Sequence, residues 1–261
     1  MSRYLPALSR VATVVFVLAL PTALITANVR FLAGEPRLFD YGFRTYDAEQ
    51  TTGVPMPELQ RAGREMVDYF ENDEETLRIV VNTGGDEVAL FNARETEHME
   101  DVKGLLRLVF RLNEVAVAYV LTYVTATFVW SRKPMRALAQ QSLAGLGAGL
   151  ALVAAVGAFA VTGFEAAWER FHKIAFRNDL WQLDPDRDRL IQMFPEPFWQ
   201  DMTYLLGVMT VAEVIVVLAL SLGYLLADRQ PRTRRSGLER RGVEVASEAT
   251  AAPLGGTEPR A

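Results

Sequence analysis

Cysteine is absent from this 261-residue chain, histidine occurs only at positions 98 and 172, and lysine only at 103, 133 and 173. Without cysteine there is no disulfide, no thiolate ligand and no cysteine nucleophile. A phosphate-binding glycine loop, an HExxH-like metal motif, a nucleic-acid motif and an internal repeat are all missing. The two histidines are therefore the scarcest chemical resource of the chain.

What is present is apolar length. Four blocks, residues 11–27, 115–130, 138–164 and 203–227, come close to the roughly 20 apolar residues that cross a bilayer. They predict a mainly α integral membrane protein with four transmembrane helices. The first block has a weak signal-peptide character at Ile25 and Ala27, but its length and the Arg30 flank favour a retained helix, kinked at Pro21.

Short flanking segments rich in Arg and Lys stay in the cytoplasm. Arg3 and Arg10, then Arg132, Lys133 and Arg136, then Arg229, Arg232, Arg234, Arg235, Arg240 and Arg241 mark three such segments. Both termini are thus expected inside, and the acid-rich stretches 30–111 and 165–201 outside. The expected plan is a first span within 1–31, an extracytoplasmic α+β domain at 32–111, three spans within 112–227 with an outer loop at 165–201, and a disordered tail at 228–261.

Within the outer domain, Leu59, Ala62, Met66, Val67 and Phe70 recur at helical spacing over 58–70. Residues 77–81 and 87–91 read as short strands about Gly84-Gly85, a hairpin signal. An amphipathic helix from 94 to 111 then runs into the second span. In the outer loop a helix over 165–176 sets Trp168 and His172 one turn apart, and Asp184-Pro185 reads as the start of a short helix over 187–193. Trp168, Trp181, Phe198, Trp199 and Tyr204 read as an interfacial aromatic belt. Gly145, Gly149, Gly157 and Gly163 suit close helix packing, and Glu213, in mid-span, wants a polar partner such as Thr122 or Thr125.

Both histidines fall on the outer side, where helices meet water. All the serines lie in cytoplasmic segments or inside spans, so a serine or cysteine acyl-enzyme is not expected on that side. Two imidazoles with carboxylates and arginines nearby suit proton transfer near neutral pH or metal binding. Glu95 and Asp101 are placed to orient His98, and Arg94 to steady an oxyanion. A metal-dependent membrane hydrolase, a haem protein and a non-enzymatic assembly factor remain open on these residues alone.

Two longer patterns narrow this. The run Phe91-Asn92-x-Arg94-Glu95-x-x-His98-Met99-x-Asp101-Val102-Lys103 is one. The other runs Phe171-His172-x-x-x-Phe176-x-Asn178-Asp179-x-Trp181-x-Leu183-Asp184-Pro185, followed by Asp188-x-Leu190-Ile191-x-Met193-Phe194-Pro195. Together they resemble the bacterial lipoprotein intramolecular transacylase family over roughly residues 8–227. The resemblance implies an acyltransferase of the bacterial plasma membrane, acting at the outer leaflet on diacylglyceryl-modified lipoproteins among membrane lipids. Its members move the sn-2 acyl chain of the modified N-terminal cysteine to that cysteine's own α-amino group. The resemblance implies His98 and His172 as catalytic, and no cofactor or metal is expected. Glu95, Asp101, Arg94 and Asn178 are the expected supporting residues, the last as a possible oxyanion donor.

Overall fold

The structure, a computed structural model, describes residues 5–229, except the side chains of residues 5, 6, 152, 153, 155, 156 and 158–162. Helix α1 (Leu5–Gly34) is followed by α2 (Pro36–Thr45), α3 (Ala48–Thr52) and α4 (Met56–Glu71), then by strands β1 (Val80–Thr83) and β2 (Asp86–Ala89). Helices α5 (Ala93–Trp130), α6 (Pro134–Thr162), α7 (Phe164–Ala175), α8 (Arg189–Met193) and α9 (Glu196–Arg229) complete the described chain. The expected disordered tail lies, beyond Arg229, outside the described residues.

Among the described residues, three helices are long and apolar enough to cross a membrane: Ala7–Gly34, Ala93–Trp130 and Glu196–Arg229. In α5 the apolar stretch begins near Val115, and the turns before it carry charge. Helix α6, 29 residues long, packs against α1 and α9, and α1 packs against α5 and α9. Two of the four glycines noted on the third apolar block make that packing close. A Cβ on Gly145 would stand 2.9 Å from the Val17 carbonyl oxygen, and one on Gly149 2.6 Å from Cβ of Pro21. Gly157 and Gly163 have open space instead. Pro21 lies inside α1, where its ring fits against the glycine of the neighbouring helix.

Polar side chains in this bundle find each other. Asn113 donates to the Ala23 carbonyl and to Thr26, both at 3.1 Å. Asn28 donates to Thr210 at 3.2 Å and to Glu213 at 3.1 Å. The partner of Glu213 is therefore Asn28, because Thr122 and Thr125 turn back onto their own helix carbonyls.

The remaining elements form a cap with its own apolar core. Gly84 and Gly85 take positive φ and close a two-residue turn, so Thr83 pairs with Asp86 and Val80 with Ala89. Helices α2 and α3 had no counterpart in the sequence reading. Helix α2 carries Phe39 and Phe43 on one face, and both pack against Phe194, at ring separations of 5.4 and 5.3 Å. Leu190, Met193, Phe194 and Phe198, from the far end of the chain, enter the same core as Leu59, Met66, Val81 and Leu90. Each such side chain contributes about 2 kcal/mol of burial. The core thus ties the segment after α7 to the segment before α5, and the candidate site lies between them.

Candidate active site

Helix α5 begins with a reciprocal cap. Asn92 Oδ1 accepts the Glu95 N–H at 3.1 Å, and Glu95 Oε2 accepts the Asn92 N–H at 2.8 Å. The second carboxylate oxygen, Oε1, accepts the Leu190 N–H at 2.6 Å. Both oxygens of Glu95 are thus engaged by backbone, which corrects the expectation that this carboxylate orients His98. Its work is to hold the first turn of α8 against the first turn of α5. Burial raises the Glu95 carboxyl above its ordinary range, against the pull of the two N–H bonds.

One turn further on stands His98. Its side chain is buried, and its Nδ1 has no hydrogen-bond partner. His172, in the last turns of α7, is buried opposite it, with ring centroids 6.2 Å apart. The two imidazoles share Phe176, at 5.2 Å from His98 and 5.6 Å from His172. Trp168 at 4.6 Å, Trp181 at 5.0 Å and Phe171 at 5.2 Å complete an aromatic box around His172.

This box corrects the belt reading. Trp168 and Trp181 pack on an imidazole, Trp199 stacks on Trp168 at 5.0 Å, and Phe198 lies in the cap core. Tyr204, 45% exposed, is the residue of that group whose exposure fits a belt.

His172 Nδ1 lies 2.8 Å from the Trp168 carbonyl oxygen. A carbonyl only accepts, so the ring proton sits on Nδ1 and the neutral imidazole keeps its lone pair on Nε2. Burial lowers the His172 pKa, offset in part by that carbonyl. His98 lies in the charged portion of α5, ahead of the apolar stretch. Its pKa is pushed down to about 4 by burial, then by His172 and Arg94, with Asp101 pulling the other way. Both rings are therefore neutral at pH 7, the form able to accept a proton.

The sign for stability follows. His98 titrates near 4 when folded and near 6.5 when unfolded. Between those values the unfolded chain binds the proton and the folded one does not, so stability present above pH 6.5 is lost as pH falls toward 4. Because the chain has two histidines, carbon-13 histidine labelling of untagged protein reads both rings directly. The His98 resonance should stay at its neutral position from pH 8 to pH 5.5; a midpoint near 6.5 would show the ring to be solvated.

The supporting residues divide. Asn178 Nδ2 donates to Asp101 Oδ2 at 2.8 Å, and its own carbonyl oxygen accepts the Leu180 N–H at 3.1 Å. Asn178 thus holds Asp101, whose charge acts on His98. Arg94 NH2 donates to the Asp179 carbonyl, while its Nε is buried without a partner. Lys103 is turned away, with Nζ donating to Asn72 at 3.0 Å and to the Glu74 carbonyl at 2.6 Å, over the face of Tyr69.

Sequence reasoning placed Asp188 in the second pattern but gave it no role. The residue is fully buried and accepts from Asn92 Nδ2 at 2.8 Å and from the Asp184 N–H at 2.7 Å. Burial pushes its carboxyl up, but those bonds and Arg187 outweigh it and hold it below the ordinary range. Asp188, not Asp184, occupies the N-cap position of the short helix, which begins at Arg189; Asp184 caps a turn by accepting the Asp186 N–H at 3.0 Å. Among the described residues, no three His, Asp or Glu side chains converge as a metal site would need.

Residues 14–199 match the family profile described as lipoprotein intramolecular transacylase Lit, a stretch that includes both histidines and the whole box. The chain belongs to this family. A Lit structure from Bacillus cereus superposes with a TM-score of 0.73, at 16% identity, covering 86% of this chain and 98% of that one. A Bacillus cereus Lit variant with one histidine replaced by alanine gives 0.67 over 87% of this chain and 98% of that one, also at 16% identity. These likenesses establish a shared membrane fold. An uncharacterised protein of Aquifex aeolicus is 30% identical over 128 residues, 49% of this chain and 55% of that protein, so the match spans about half of that relative's length.

Proposed function

We propose that this Lit family member is an acyltransferase that rearranges lipoproteins within the membrane. It moves the sn-2 acyl chain of an N-terminal S-diacylglyceryl cysteine to the α-amino group of that same cysteine. The observation that carries the reading is the pair of buried, neutral imidazoles with centroids 6.2 Å apart. The four apolar blocks serve as four spans, and the basic flanks orient them so that this pair faces the outer leaflet.

Attack within one molecule needs no protein nucleophile. The amine adds to the ester carbonyl, the carbon–nitrogen bond forms, and the bond from that carbon to the glyceryl oxygen breaks. The nitrogen sheds one proton and the glyceryl oxygen gains one, so a base and an acid suffice. His172 Nε2, with its lone pair fixed by the Trp168 contact, takes the proton from nitrogen. His98, neutral at rest, relays that same proton from His172 to the departing oxygen, which leaves both rings neutral again, and Arg94 steadies the oxyanion through its unpartnered Nε. Holding amine and ester together supplies much of the acceleration, and the water-poor box strengthens every charge interaction inside it.

Helix α7 suits such a location. Ile174, 87% exposed, and Phe171 beside it present apolar surface around a polar site, as an element that dips into the interface does.

Tandem mass spectrometry of an N-terminal lipopeptide from a host that lacks N-acylation tests the reading. Wild-type protein should convert the diacylglyceryl form to an isobaric N-acyl, monoacylglyceryl form, and the double variant His98→Ala/His172→Ala should not. A folded wild type that leaves the diacylglyceryl form unchanged overturns it.

A further inference from the structure

Away from the histidines, a carboxylate stands at the mouth of an apolar cavity with no role in the acyl-transfer reading. Asp201 Oδ2 accepts two phenol hydroxyls, from Tyr41 at 2.7 Å and from Tyr46 at 2.6 Å. Leu38, Tyr41, Asp201, Met202 and Leu205 line a shallow, open cavity of about 310 Å³ between α2 and α9. Phenol hydroxyls are neutral donors and bring no compensating charge.

The position is that of a lipid headgroup. Asp201 is the last charged residue of α9 before an apolar run that continues to Glu213, so it marks the boundary of the apolar layer at this end. Leu205, one turn further along α9, and Leu38, from α2, offer a chain-like wall below it. Tyr41 is 43% exposed and adds an aromatic face beside the carboxylate. A carboxylate with phenol oxygens and an aromatic face is a cation site, and apolar walls require that the cation be carried on a lipid. A purely structural tie between α2 and α9 would need the two hydrogen bonds but not the cavity.

We infer that the Tyr41–Tyr46–Asp201 cavity binds the primary ammonium of a phosphatidylethanolamine headgroup, with the first carbons of its chains along Leu38 and Leu205. The ammonium donates to the carboxylate and to the phenol oxygen of Tyr41, and the phosphate remains in water. An anionic headgroup without an amine is repelled by the same carboxylate. This inference goes beyond the acyl-transfer reading and does not depend on it, because lipid retention is measured without turnover.

The full chain, reconstituted in nanodiscs of equal phosphatidylethanolamine and phosphatidylglycerol with matched chains, is extracted into detergent and its retained lipid is quantified. Wild type should be enriched in phosphatidylethanolamine about fivefold over the bulk ratio, the scale of one exposed ion pair. Asp201→Asn should bring the ratio to that of the bulk. Leu205→Trp, which fills the cavity and leaves the carboxylate intact, should do the same and decides the matter if Asp201→Asn does not fold. Absence of enrichment in wild type, or enrichment that survives a folded Asp201→Asn or Leu205→Trp, overturns the inference.

Discussion

His98→Gln should lower the single-turnover rate of acyl transfer by about 10²–10⁴-fold, the range that general acid–base catalysis supplies, while the variant stays folded at pH 7. Glutamine keeps much of the volume between Phe176 and His172 but has no basic nitrogen. His172→Gln should cost a similar factor, and the double variant little more than the worse single one, because groups that act as a unit fail together. A loss that scaled with melting temperature across variants would instead mark packing as the cause. The acid side offers a second reading of the same substitution. Wild type loses stability below pH 6.5 because His98, pushed down to about 4, refuses a proton that the unfolded chain accepts. His98→Gln removes that difference, so its melting temperature should fall less than the wild type's between pH 7 and pH 5. Rate falls while acid stability improves, a combination that loss of packing alone does not give.

The sequence carried the membrane class and the histidine pair, because both rest on strong local signals. Apolar runs state their length outright, and a chain with two histidines leaves few candidates for proton transfer. The hairpin about Gly84-Gly85 was legible because glycines accept the positive φ of a tight turn, although the expected strands 77–81 and 87–91 fall at 80–83 and 86–89. The cap resisted. Helix α2 takes its reason to exist from Phe39 and Phe43 meeting Phe194, about 150 residues away, and no window of sequence contains that contact. Trp168 and Trp181 were assigned to lipid on their residue type, whereas their position is decided by what they cover, the ring of His172. The role of Glu95 was misplaced because a carboxylate near a histidine in sequence has many possible acceptor roles, and that of Asp188 was missed because its partner Asn92 lies 96 residues away. Only the fold shows that Leu190 N–H and Asn92 claim them.

Those two carboxylates carry the largest expected loss of stability. Glu95→Ala removes the side-chain half of the reciprocal cap and leaves the Asn92 and Leu190 N–H groups without their acceptor, at about 1 kcal/mol or more each. A destabilisation of about 2 kcal/mol should result, a fall in melting temperature of roughly 6 °C for a chain of this size. Glu95→Gln will not rescue it fully, since Glu95 uses both oxygens as acceptors and an amide turns one of them into a donor facing another donor. Asp188→Ala should act on the same joint from the other side by releasing Asn92 and the Asp184 N–H. Because Asn92 binds both carboxylates, the double variant should lose less than the sum of the single losses. Additive losses would mean that Glu95 and Asp188 hold separate parts of the cap. Sub-additive losses accompanied by a drop in transfer rate, in variants still folded at the assay temperature, would place the joint between α5 and α8 in the path that keeps His98 facing His172.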